Sequence, residues 1–194
     1  KATGNDCFSA SPSSNDWYET VKLNYGVDYL GSSAQYFDPL PNTWLKMRDI
    51  LIYWAEKGVD GFRCDMAEMV PVAFWHWVIA ELKKRFPKLI FIAEVYNPSL
   101  YRSYIKYGGF DYLYDKVDLY DTLRGVMCGY TSASEITKAW QAVGDIQHNM
   151  LSFLENHDEQ RIASEFFANN SLKGIPAMMV ATLLTTSPTM CYFA

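Results

Sequence analysis

Asp65, Glu94, Asp115 and Asp158 each stand at the carboxyl end of a short run that reads as a β-strand. In parallel α/β folds that rim is where ligands bind, in open sheets and barrels alike. The spacing follows the elements. Asp65 and Glu94 are 29 residues apart, close to one strand–helix–strand unit of roughly 30. Asp115 and Asp158 are 43 apart, one unit with an insertion. An acid at a strand end can also simply cap the helix that follows.

Local chemistry assigns the acids different roles. Strand alternation puts Gly61, Arg63 and Asp65 on one face. A guanidinium beside a carboxylate lowers its pKa, so Asp65 stays ionised and fit to attack. Glu94 shares its face with Ile90 and Ile92, where desolvation favours the protonated form and suits a general acid. Two carboxyl groups driven apart in this way are what glycoside cleavage with retention uses. One attacks the sugar carbon; the other protonates the leaving oxygen and then activates water. His157 and Asp158 add an imidazole donor and a third carboxylate, which could grip sugar hydroxyls or stabilise positive charge at the ring.

The elements that must position these groups are legible from residue 41 onward. Asn42 is expected to cap a helix in which Trp44, Met47, Leu51 and Trp54 recur at three- and four-residue steps, ended by Gly58. A strand follows over 59–65. A second helix begins near Pro71, carries Trp75, Val78, Ile79, Leu82 and Phe86 on one face, and stops at Pro87. Residues 89–95 form a near-continuous apolar strand of the kind buried on both faces of a parallel sheet. Further strands are expected at 110–115, 150–154 and 189–193. Helices are expected at 134–143 and 161–167, and a buried one at 176–184. Alternating strand and helix means α/β with a parallel sheet. Residues 1–40 read as an irregular, turn-rich loop region and 41–194 as the strand–helix part.

Composition narrows the function classes. The 194 residues are 49% apolar and 20% charged, as in a folded globular protein. A net charge of −5 argues against nucleic acid or an anionic membrane as the main partner. No apolar run reaches the roughly 18 residues of a membrane span, and the first four residues lack the apolar core of a signal peptide. Four cysteines do not make a disulfide-rich scaffold, and Cys64 and Cys191 are expected to be buried free thiols. Aromatic residues are 16% of the chain, which fits either a large aromatic core or a cleft that stacks sugars. Tyr96 and Trp17 are the stacking candidates, with core packing the alternative.

Three segments resemble those of glycoside hydrolase family 13, the α-amylase family. Gly61-Phe62-Arg63-Cys64-Asp65 resembles the end of that family's fourth barrel strand, Phe91-Ile92-Ala93-Glu94 the fifth, and Phe153-Leu154-Glu155-Asn156-His157-Asp158 the seventh. Each is weak alone; the three in order on the right elements are strong together. The resemblance implies a (β/α)8 TIM barrel, here partial, running roughly from strand 4 to strand 8 with the preceding loop region. It implies a retaining α-glycosidase acting on α-1,4 bonds of starch-like glucans, with transglycosylation, isomerisation or a non-catalytic scaffold as alternatives. By this resemblance Asp65 is the nucleophile, Glu94 the general acid/base and Asp158 the transition-state stabiliser. Arg63 holds Asp65, and His157 binds hydroxyls of the sugar being cleaved. Asn156 reads as structural, and Asp115, which matches no catalytic position, as a cap or rim residue.

The departures bear on partners and metal. The family's third-strand segment, with an Asp and an Asn-His pair, has no match before Asp65, and five strands are counted where eight make a barrel. The chain is therefore expected to be a fragment that associates through exposed barrel edges. Many α-amylases carry Lys-His three and four residues after the nucleophile, and that His backbone oxygen helps hold calcium. Glu68-Met69 stand there instead, and the family's Asn ligand falls in the segment without a match, so no cofactor is expected to be required and calcium stays an open alternative that this segment does not support. A metal enzyme using magnesium on Asp65, Glu94 and Asp115 is the competing reading, opposed by the cationic Arg63. The expected partner is an α-glucan oligosaccharide or polysaccharide, with no nucleic acid and no membrane. The resemblance leans towards a secreted or periplasmic location.

Overall fold

The computed structural model describes residues 2–193. Residues 2–40 are irregular, tied by the isolated antiparallel bridges Ala2–Phe8 and Val27–Gln35. Then follow α1 (Asn42–Glu56), β1 (Gly61–Cys64), α2 (Val72–Arg85) and β2 (Ile90–Ala93). A short α3 (Tyr101–Ser103) runs into a π-helical turn, Tyr104–Gly108, before β3 (Tyr112–Tyr114). A second π-helical turn, Lys116–Tyr120, leads into α4 (Asp121–Cys128); α5 (Glu135–Ala142), β4 (Met150–Phe153), α6 (Gly174–Leu183) and β5 (Thr189–Met190) complete the chain.

The five strands are parallel and lie in sequence order, β1-β2-β3-β4-β5. An open doubly wound sheet would reverse its order at a switch point; an unbroken order is how a barrel winds. The expected partial (β/α)8 barrel is therefore the fold, seen as a half-barrel. Gly61 faces Ile90 across the first strand pair, and a Cβ there would lie 2.2 Å from the Ile90 carbonyl oxygen. The close approach of β1 to β2 thus requires the glycine of the Gly-Phe-Arg-Cys-Asp segment.

α2 packs as its periodicity predicts, whereas of the stripe expected in α1 Trp44 is buried, Met47 and Leu51 are partly buried and Trp54 is exposed. In α2, Phe74, Trp75, Val78, Ile79 and Leu82 are buried, and the helix stops just before Pro87. Each such side chain contributes about 1.5–3 kcal/mol by leaving water. A large share of the aromatic rings is core, though nearly as many are exposed. Trp44 packs on Phe74 with ring centroids 5.5 Å apart, and its indole N–H donates to the Tyr25 carbonyl at 3.0 Å. Trp75 donates to the Ala67 carbonyl at 3.0 Å. Amphipathic rings are buried here with their polar ends bonded.

Several expectations need correction. Asn42 is the first residue of α1 rather than its cap, a place taken by Pro41, whose carbonyl accepts from Trp44 N–H at 2.9 Å. Residues 161–167 form consecutive turns, not a helix; the Glu155 carboxylate takes the Ile162 N–H at 2.8 Å, and backbone bonds close back on Arg161 and Ser164. α6 is apolar all round but only half covered: Ala177 and Ala181 are buried, whereas Ile175, Met179 and Leu183 are exposed. An all-apolar helix needs neighbours on both sides, and the described residues supply one. Ile90 in β2 is exposed for the same reason. Cys64 is buried and free, and burial pushes its thiol up to about 12, but Cys191 is exposed.

α4 is not among the helices expected from the sequence. Its signal was the four-residue recurrence of Leu119, Leu123 and Met127, all buried, interrupted to the eye by Gly125.

Candidate active site

Arg63 is the centre of the arrangement. It leaves β1 next to last, and its guanidinium meets three carboxylates from three strand ends. Nη1 bonds Asp65 Oδ1; Nη2 lies 2.9 Å from Glu94 Oε2 and 3.7 Å from Asp158 Oδ2. The Tyr114 ring, from β3, lies 5.4 Å from the guanidinium carbon. Burial alone would lower the Arg63 pKa; the bond to Asp65 and the Glu94 charge outweigh it and hold it above the usual value. Asp65, Glu94 and Asp158, far apart in sequence, thus share one place beyond β1, β2 and β4.

The three acids sit in different surroundings. Asp65 is 74% exposed, and Arg63 is its side-chain ion-pair partner. Glu94 is 2% exposed. Its Oε2 also accepts from the Met66 backbone N–H at 2.9 Å, and its Oε1 from the Tyr96 hydroxyl at 2.7 Å. Met66 holds a left-handed backbone, φ 39°, which turns the chain just after Asp65 and aims that N–H at Glu94. Burial first, then the Glu94 contact, pushes the Tyr96 phenol well up, so it stays a donor. The apolar wall of Ile90 and Ile92 expected around Glu94 is not what surrounds the carboxyl. Ile90 points to solvent, and the Arg63 charge expected for Asp65 alone serves Glu94 as well.

Asp158 is half-exposed, and His157 Nε2 lies 3.1 Å from its Oδ2. The loop that presents the pair is shaped by Asn156, whose buried Oδ1 accepts from the Asp158 and Glu159 N–H groups at 2.9 and 2.8 Å. Of the stacking candidates, Tyr96 is at the site. Trp17 lies instead against Gly4, with its backbone N–H on Asn5 Oδ1 at 3.3 Å.

Two residues with an unexplained or discounted charge have structural tasks. The Glu68 carboxylate accepts from the Tyr96 and Asn97 N–H groups at 3.2 and 3.1 Å, so it braces the segment that follows Glu94. Sequence reading saw Glu68 only as a departure; its use depends on a contact 28 residues away. Asp115 caps the π-helical turn after β3: its Oδ1 accepts from Leu119 N–H at 3.0 Å.

Burial pushes the Asp115 carboxyl up to about 6; the Leu119 N–H pulls it down in part, and Asp118 adds to the rise. Its folded pKa thus lies above the unfolded value of about 3.9, so the stability of its neutral form is whole below pH ~4 and is lost as pH rises through ~6. Asp115→Asn keeps the cap and never ionises. From pH 4 to 7 the wild type is expected to lose about 2–3 kcal/mol of unfolding free energy relative to this variant. Denaturant titrations giving parallel pH profiles for the two would refute this.

Among the described residues no group of three or more His, Cys, Asp or Glu side chains is arranged to hold a metal ion. The Met69 carbonyl, which stands where the resemblance implies a calcium ligand, accepts from the Lys22 ammonium at 3.2 Å. A cation facing a cation ligand does not fit calcium.

A half-barrel of parallel strands with acids gathered at its carboxyl-terminal rim defines a barrel domain of the class that works at that rim. The family model for the alpha-amylase catalytic domain matches residues 40–193, and the chain belongs to that family. Over 62 residues it is 40% identical to an alpha-1,4-glucan:maltose-1-phosphate maltosyltransferase of Cereibacter sphaeroides; the matched stretch is 32% of this chain and 10% of that protein. Its fold is similar to that of an alpha-amylase from Lactobacillus plantarum, with a TM-score of 0.66 and 19% identity over 87% of this chain and 43% of the other. The fold is also similar to that of the cyclic alpha-maltosyl-(1→6)-maltose hydrolase of Arthrobacter globiformis in complex with maltose. There the TM-score is 0.65 and the identity 18%, over 88% and 42% of the two chains.

Proposed function

We propose that this chain carries the acid-bearing part of a retaining α-glucan-active site. Asp65 is the nucleophile, Glu94 the general acid/base and Asp158 the stabiliser of the oxocarbenium-like transition state. Arg63 keeps the three carboxylates on one anomeric centre, and His157 binds hydroxyls of the sugar being cleaved. The observation that carries this reading is the convergence of all three acids on a single guanidinium. Retaining chemistry needs its two carboxyl groups close enough to flank one sugar ring.

In the first step Asp65 Oδ attacks the anomeric carbon while Glu94 gives its proton to the leaving oxygen. In the second, Glu94 takes a proton from water or a sugar hydroxyl, which attacks the same carbon and frees Asp65. Asp65 is exposed and open to an approaching sugar, and Glu94 is buried with both oxygens held. Tyr96 and Arg63 hold its two oxygens, so the acid is fixed in orientation before substrate arrives.

Hydrolysis of α-1,4-glucosidic bonds is the leading activity. Transfer to a sugar or phosphate acceptor is the second reading, favoured by the maltosyltransferase names of relatives that match about a third of this chain. The test is product analysis with the full-length enzyme on maltohexaose, with and without inorganic phosphate. Reducing sugar released in step with substrate loss supports hydrolysis. Longer oligosaccharides, or a phosphorylated sugar when phosphate is added, support transfer. Absence of any bond cleavage in either condition would refute an α-glucan-active site.

A further inference from the structure

Lys22 is 9% exposed although it lies in the irregular segment before the barrel. Its ammonium gathers ligands from three stretches of chain. It pairs with the Asp6 carboxylate, donates to the Met69 carbonyl at 3.2 Å, and sits 4.2 Å from the centre of the Tyr29 ring. Its backbone N–H donates to the Ala2 carbonyl at 2.9 Å. The Asp6 backbone is left-handed, φ 66°, and fixed by a bond from its N–H to the Thr3 carbonyl at 3.1 Å. Burying an ammonium is costly unless its donors are met; here a carboxylate, a carbonyl and a π-face meet them.

The contact reaches the site in three links. Met69 closes the turn Ala67–Met69 through its N–H on the Met66 carbonyl at 2.9 Å. Met66 in turn donates its N–H to Glu94 Oε2, and it follows Asp65 directly. A carboxylate and a carbonyl from separate segments are what a hard divalent ion bridges. An ammonium bridges the same pair with one charge and three donors.

We infer that Lys22 is a built-in structural cation: its ammonium clamps the irregular segment onto the turn that follows Asp65, and this joint needs no metal ion. It is a positioning residue, acting through Met69 and Met66.

Amide hydrogen exchange of the full-length protein over residues 2–30 and 66–70 tests this without reference to activity, so failure of the functional reading leaves the result unaffected. In the wild type, EDTA or millimolar calcium is expected to change neither stretch. Lys22→Met is expected to raise exchange in both by about tenfold, the loss of one charged hydrogen bond. Lys22→Arg keeps the charge and is expected to stay within about threefold of wild type. If Lys22→Met does not fold, Asp6→Asn replaces it, with raised exchange expected in the same stretches. Exchange in these stretches that rises with EDTA and falls back with calcium would overturn the inference. So would wild-type exchange in Lys22→Met, or an Arg variant that exchanges like the Met one.

Discussion

Glu94→Gln in the full-length enzyme is expected to lower kcat on starch by about 10²–10⁴-fold, the span that a positioned proton donor supplies. The fold is expected to survive. The amide oxygen can still accept from the Met66 N–H while its NH2 donates to the Tyr96 hydroxyl oxygen in a reversed bond, and Arg63 keeps Asp65 and Asp158 as partners. The diagnostic measurement is the pre-steady-state rate of fluoride release from α-maltosyl fluoride, which reads the first step before the second needs Glu94 as base. Fluoride leaves without protonation, so the glycosylation step loses far less there than on starch. Near-normal starch activity in this variant would reject Glu94 as the acid. An equal loss on both substrates would assign it a role other than proton donation.

Asp65→Asn is expected to be the more damaging change to chemistry and the less damaging to structure. The side chain is 74% exposed, so the stability change is expected to stay within about 0.5 kcal/mol, as for ordinary surface positions. On the proposed reading, the loss of Asp65 as nucleophile removes the covalent route altogether. The drop in kcat is expected to reach about 10⁴-fold or more, on the scale seen when a catalytic nucleophile is deleted. It should fall equally on starch and on the fluoride, because both need the attack. In Asp65→Ala, which removes the carboxyl and leaves room for a small anion, azide is expected to restore turnover on the fluoride and yield a β-glycosyl azide. A variant that kept its rate on the fluoride would exclude Asp65 as nucleophile. The pair of variants thus separates the two roles by their response to the leaving group.

The surroundings of the acids bear on how such a site keeps its two carboxyl groups different. Apolar shielding was expected to set Glu94 apart, but Arg63 contacts both Asp65 and Glu94. The difference that remains is geometric. One carboxyl is nearly all solvent-facing, and the other is buried with each oxygen bonded. In Glu94 the Tyr96 hydroxyl occupies the oxygen not held by Arg63 and Met66. Either oxygen must therefore give up a partner before it can bond a substrate.

Local pattern carried the acids and most of the elements, but not α4 or the turns at 161–167. The three- and four-residue steps of α1 and α2 and the apolar run of β2 follow from burial periodicity, which acts within one element. The acids at the ends of β1, β2 and β4 were legible because a strand end is a position in sequence. So was the cap at Asp115, since a cap bonds a group four residues away. What remained hidden lies between segments distant in the chain. That Arg63 serves Glu94 and Asp158 as well as Asp65, that Glu68 braces the stretch after Glu94, and that Lys22 clamps the turn at Met69 all depend on partners at least 28 residues away in the chain. The exposure of Ile90, Ile175 and Leu183 likewise depends on which neighbours the half-barrel brings. Burial and charge pairing are set by what arrives from elsewhere, and only the folded arrangement decides that.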